Sequence, residues 1–147
     1  MSAPIVYDKA KWHYEGDFPE DLEEEQAFVH SGMYLGWLID NDLISEEFSE
    51  DNATEIAEFK KRKMSPIDIF ERCDGCLVDD MLNDLGNRFS QAYFEFEVGE
   101  YLSDYEKLLG KKLPSLYHVK FQWKSFDKIS AQITKRFKEW KKKNILT

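Results

Sequence analysis

The sequence predicts an all-α or mainly α fold: a compact single-domain helical bundle over residues 1–147 with one short β element. Three observations predict it. Apolar side chains recur at helical intervals in three long segments. Helix-starting and helix-stopping residues bracket those segments. Only one stretch, near Tyr117–Phe121, alternates apolar and polar residues as a strand would.

From the N-terminus, residues 1–18 read as irregular or briefly extended. Gly16 and Pro19 bracket turn chemistry, and Pro19 suits a first helical position. Glu20, Asp21, Glu23, Glu24 and Glu25 then crowd a presumed helix start, where the dipole favours acids. This first helix is expected to run to about Asn41. From Ala27 onward it is apolar on nearly every side, so it belongs in the middle of a bundle. Gly32 and Gly36 lie four apart and should admit a neighbouring backbone.

A turn and a helix capped near Asn52 should follow, with Lys60 to Lys63 at its end. Ser65 and Pro66 open a short helix ending near Cys73. A longer helix should start near Asn83 or Asp84 and end at Gly110. Its two apolar stripes predict burial on two sides or a bend near Gly99. The last helix, capped by Ser125, sets Phe126, Ile129, Ile133, Phe137 and Trp140 within roughly an 80° arc.

The chain has 147 residues, and a domain of that size buries roughly 70% of its unfolded surface. It needs neither disulfide nor metal to fold. Aromatics form 15% of it, which argues for a packed core. The net charge of −9 disfavours nucleic acid and anionic membranes as partners. Charge is also segregated: residues 1–50 hold 13 acids and 2 bases, residues 101–147 hold 4 acids and 12 bases. The longest apolar run, Met33 to Ile39, is far short of the roughly 20 residues of a membrane span. With no signal-like start and two cysteines, a cytoplasmic location is expected.

Few residues offer chemistry. Cys73 and Cys76 form a lone CxxC at a predicted helix C-terminus, the wrong end for lowering a thiol pKa, and two ligands do not close a zinc site. His13, Glu15 and Asp17 stand close in sequence and form the alternative site, a His/Glu/Asp cluster for acid–base work. The structural reading of the same residues is a corner with Trp12 and Tyr14 packed inward. His30, on the apolar helix, reads as a satisfied interior residue. Asp79, Asp80 and Asp84 lack calcium-loop spacing and read as helix caps. No catalytic set, metal or cofactor is expected, and the chain is read as a non-enzyme. Glu20, Asp21, Glu23, Glu24, Glu46, Glu47, Glu50 and Asp51 are the expected partner-binding residues, an acidic surface that steers a basic protein.

The opening "YDKAKWHYEGDFPEDL" and the following "AFVHSGMYLGWLIDNDLI" resemble a family of small bacterial proteins known as a domain of unknown function. The residues carrying the likeness are Tyr7, Asp8, Ala10 to Tyr14, Gly16 to Pro19, His30, Gly32, Met33, Trp37, Gly86, Tyr101, Asp104, Tyr105 and Trp140. The resemblance implies no catalytic residue. Small acidic proteins of this sort look like immunity proteins encoded beside secreted toxins. By that analogy the expected function is stoichiometric inhibition of a cognate toxin domain. The alternatives are a small enzyme using the His13 cluster and a homodimeric adaptor.

Overall fold

A computed structural model of the chain describes residues 4–97 and 99–145. Its axis is helix α2 (Val29–Asp40), in which every residue from Val29 to Ile39 is buried. A helix apolar all round has no solvent face, so other elements must cover every side. They are β1 (Val6–Lys9), α1 (Ala10–Tyr14), α3 (Glu46–Asp51), α4 (Ala53–Lys60), α5 (Pro66–Arg72), β2 (Cys76–Val78), α6 (Asp84–Tyr93), α7 (Tyr101–Leu109) and α8 (Trp123–Asn144). Short 3₁₀ turns stand at Glu24–Phe28, Asp79–Met81 and Leu116–His118. The mainly α class is therefore the observed one.

Helices α5 and α8 lie directly on α2. The two glycines explain how closely. A Cβ on Gly32 would stand 3.1 Å from the Ile67 Cα, and one on Gly36 would stand 2.8 Å from both the Phe126 ring and Pro66. Helix α5 starts as expected, with Ser65 and Asp68 forming a reciprocal capping box and Pro66 in the first turn. Helix α8 buries Phe126, Ile129, Ile133 and Phe137, while Trp140 is half-buried. Its N-cap is Gln122 rather than Ser125. The buried side chains form one continuous core.

The structure departs from the sequence reading at four further places. The helix expected from Pro19 begins only as a 3₁₀ turn at Glu24 and becomes α-helical at Val29. Glu20 and Glu24, like Asp21 and Glu25, would stand one turn apart as like charges. Gln26 is also tied away, donating to the Tyr117 and Val119 carbonyls at 2.8 and 3.0 Å. Second, Ser45 caps an additional helix, α3, where a plain turn was expected. Third, the long helix from Asp84 is broken rather than bent. Helix α6 stops at Tyr93 and α7 starts at Tyr101. Gly99 closes the break by donating to Glu95, at a point where any Cβ would collide with the Tyr93 carbonyl.

Fourth, the β element lies elsewhere. Tyr117–Phe121 forms no strand; Ser115 accepts from the Tyr117 backbone and starts a 3₁₀ turn. The sheet is instead a two-stranded antiparallel pair, β1 with β2, with Val6 opposite Val78 and Lys9 opposite Cys76. A register shift between Val6 and Asp8 disturbs its alternation. As a result two successive side chains, Tyr7 and Asp8, are both buried.

Candidate functional site

That irregularity matters because it drives a carboxylate into the core. Asp8 is 0% exposed. An isolated ion there would be expensive, so its oxygens must be occupied. His13 of α1 contributes Nε2 at 2.7 Å from Oδ1. His30 of α2 contributes Nε2 at 3.1 Å from Oδ2, and the neighbouring Ser31 hydroxyl donates to the same oxygen at 2.5 Å. The far side of the His13 ring, Nδ1, meets the Tyr117 hydroxyl at 2.6 Å. Three elements, β1, α1 and α2, thus meet at one carboxylate, and the Leu116–His118 turn backs the His13 ring.

Burial opposes ionisation of Asp8, but the hydrogen bonds from His13 and His30 override it and hold the carboxyl well below its ordinary range. An ionised carboxylate only accepts, so both Nε2 atoms carry the protons. His30 Nδ1 is buried and has no hydrogen-bond partner among the described residues. The hydroxyl of Tyr105, whose ring stands 6.3 Å from that of His30, is buried and also has no partner among the described residues. Asp8, His13 and His30 form a group whose donor atoms all lie within 4.8 Å of one another.

The His/Glu/Asp cluster expected at the N-terminus does not assemble. His13 turns inward to Asp8, whereas Glu15 is exposed opposite Lys11 at 4.0 Å and Asp17 is exposed. Trp12 does not pack inward either; it is 53% exposed, while Tyr14 lies half-buried on Phe28. Asp8 and Tyr117 were missed as partners of His13, and His30 and Ser31 as the further partners of Asp8. An acid inside the short apolar run of β1, five residues before a histidine, was the available signal.

The acidic residues form two groups rather than one surface. Glu20, Asp21, Glu23 and Glu24 precede the N-terminus of α2, and Glu46, Glu47, Glu50 and Asp51 follow its C-terminus. A helix of 12 residues separates them by roughly 18 Å. Asp21 accepts a hydrogen bond from His118 Nε2 at 3.0 Å, so it is not free of a partner. At the α2 N-terminal end the chain forms a groove lined by Tyr14, Phe28, Glu24, Glu25, Glu71 and Asp74. The Tyr14 and Phe28 rings stack at 6.5 Å with an angle of 15°. Asp74 and Gly75 both take positive φ, 58° and 66°, and a Cβ on Gly75 would strike the Phe28 ring. That turn sets Asp74 beside the aromatic wall.

None of these four carboxylates has a cation within ion-pair distance among the described residues. Desolvation, with Asp68 and Glu25 nearby, raises the Glu71 pKa. The neighbouring Cys73 thiol is pushed up to about 11 by burial and by Asp74 and Cys76, which keeps it protonated.

A family model described as "Domain of unknown function (DUF7832)" matches residues 6–119. The chain belongs to that family. The match covers β1 through the Leu116–His118 turn, hence the whole Asp8 knot and the whole acidic groove, and it stops short of α8. No curated protein and no solved structure matches this DUF7832 chain. Among its described residues no helix is long and apolar enough to cross a membrane.

Proposed function

We propose that the chain is a stoichiometric protein-binding inhibitor of the bacterial immunity-protein kind, acting in the cytoplasm on a cognate toxin domain with a basic surface. The observation that carries this reading is the groove. Two stacked aromatic rings form its wall, and Glu24, Glu25, Glu71 and Asp74 rim it without cationic partners among the described residues. An arginine or lysine of a partner would gain the ring faces and neutralise carboxylates that repel one another. Burial first, then the charges of Asp68 and Glu25, raises the Glu71 pKa. The remaining acids at both ends of α2 would steer a basic partner toward the chain and raise its association rate. Trp12, largely exposed on α1, is the type of side chain that anchors interfaces.

Co-expression with toxin domains encoded beside the gene tests the proposal. Protection of the host and a 1:1 complex are expected, with an association rate that falls as salt rises. Neutralising the groove with Glu24→Gln, Glu25→Gln, Glu71→Gln and Asp74→Asn should slow association and weaken the complex. Neither protection nor co-purification with any such domain would refute the reading.

A further inference from the structure

We propose that Asp8, His13 and His30 form a site for one divalent transition-metal ion of the zinc class, which staples β1 and α1 to the first turn of α2. The proposal is independent of the groove and of any partner.

The donor set is two imidazole nitrogens and a carboxylate oxygen, drawn from three elements and gathered within 4.8 Å. Zinc-type ions bond such atoms at about 2.0–2.2 Å and accept four ligands. Ligand atoms around a tetrahedral ion then stand roughly 3.4 Å apart. His13 Nε2 stands 2.7 Å from Asp8 Oδ1 and His30 Nε2 stands 3.1 Å from Oδ2, each within several tenths of that spacing, so each imidazole faces its own oxygen of the carboxylate. The His13 and His30 rings meet edge-on, with centroids 4.6 Å apart, so both present nitrogen to the same carboxylate. Calcium and magnesium fit poorly, since they require shells of hard oxygens.

The surroundings suit ligation. Ser31 Oγ orients the carboxylate, and Tyr117 OH orients the His13 ring from behind, as outer-shell groups do around bound metals. Coordination needs the Nε2 lone pairs, so each imidazole proton must shift to Nδ1. His13 Nδ1–H would then donate to the Tyr117 oxygen. His30 Nδ1, which has no partner among the described residues, can take its proton. The ionised Asp8 carboxylate supplies negative charge at the site, which offsets part of a dication's charge. His13, at 14% side-chain exposure, is the entry side; Asp8 and His30 are closed to solvent. Three protein ligands leave the fourth position of a tetrahedral ion to water on the His13 side, and because the ligands come from three elements, binding is coupled to folding.

The test uses the full chain, stripped with a chelator and titrated with Zn²⁺ in competition with a chromophoric chelator. One ion per chain and a rise in Tm are expected. Co²⁺ should give visible ligand-field bands without a thiolate charge-transfer band. His13→Gln should weaken Zn²⁺ binding at least tenfold, while Cys73→Ser with Cys76→Ser and His118→Gln should leave it unchanged. If His13→Gln does not fold, ring resonances of His13 and His30 in the unaltered chain serve instead, and both should shift on adding Zn²⁺. Absence of a 1:1 complex, binding that survives His13→Gln, binding lost with the cysteines, or unmoved His13 and His30 resonances would overturn the site.

Discussion

At the residue scale, stability concentrates in two buried carboxylates that hold their charge. Asp8 is held by His13, His30 and Ser31. Removing it with Asp8→Ala strands three donors in the core, so a loss of about 3–5 kcal/mol is expected in urea unfolding. Its depressed pKa sets the sign of the pH dependence. The stabilisation is complete above the unfolded carboxyl value of about 4 and fades as pH falls toward the lower folded value. Acid titration of the unaltered chain should therefore show stability dropping below about pH 4, more steeply than in Asp8→Asn. Asp104 is the second case. Arg136 grips it with Nε at 3.0 Å and Nη2 at 2.9 Å, and the Tyr93 hydroxyl donates at 2.6 Å. Burial works against its charge, but the bonds from Arg136 and Tyr93 lower its pKa. Arg136→Ala should cost about 1.5–3 kcal/mol by thermal or urea unfolding, since the pair joins α7 to α8. Arg136→Lys should recover only part of it, because an ammonium does not span both oxygens.

At the element scale, the helices are placed by what α2 lets near it. Gly36 has no room for a methyl between Phe126 of α8 and Pro66 of α5. Alanine would favour the helix by about 1 kcal/mol, yet overpacking costs about 1–3 kcal/mol, so Gly36→Ala should lower Tm on balance. The sequence signalled this pair of glycines through their four-residue spacing on an apolar helix. It signalled α5 equally well, because Ser65, Pro66 and Asp68 act within one turn. Elements decided by remote contacts were harder to read. The break between α6 and α7 needs a tight turn that only Gly99 accommodates, and periodicity alone runs straight through it. The Leu116–His118 turn replaces a strand because Gln26 and His13 bind its backbone and its tyrosine. Neither partner is near it in sequence.

At the scale of the whole molecule, the charge asymmetry separates two tasks. The basic C-terminal third folds back through α8, where Arg62 pairs with Asp127 and Arg136 with Asp104 and Glu100. The acids of the groove keep no such partners among the described residues. Converting Glu24, Glu25 and Glu71 to glutamine and Asp74 to asparagine should leave the circular dichroism spectrum unchanged and keep Tm equal or slightly higher. Glu71 has a raised folded pKa, so it favours folding below the unfolded value and opposes it as pH rises through the folded one. The fourfold variant should accordingly lose that downward trend, which sets in as pH rises above the ordinary glutamate range, in unfolding experiments. A Tm that falls by many degrees would mean that these carboxylates are part of the packing rather than a free surface.

Local chemistry in the sequence determined the helical class, the buried central helix, the capped start of α5 and the inward stripe of α8, because each depends on side chains within a turn or two of one another. It also determined the excess of negative charge. Only the tertiary structure decided that Asp8 faces inward, that His13 leaves Glu15 and Asp17 for Asp8 and His30, and that Tyr14, Phe28, Glu71 and Asp74 share a groove. Those meetings join residues up to 104 positions apart, as with His13 and Tyr117. The cost of burying a lone charge or an unmet polar atom selects such partners, and that cost exists only once the chain has closed around them.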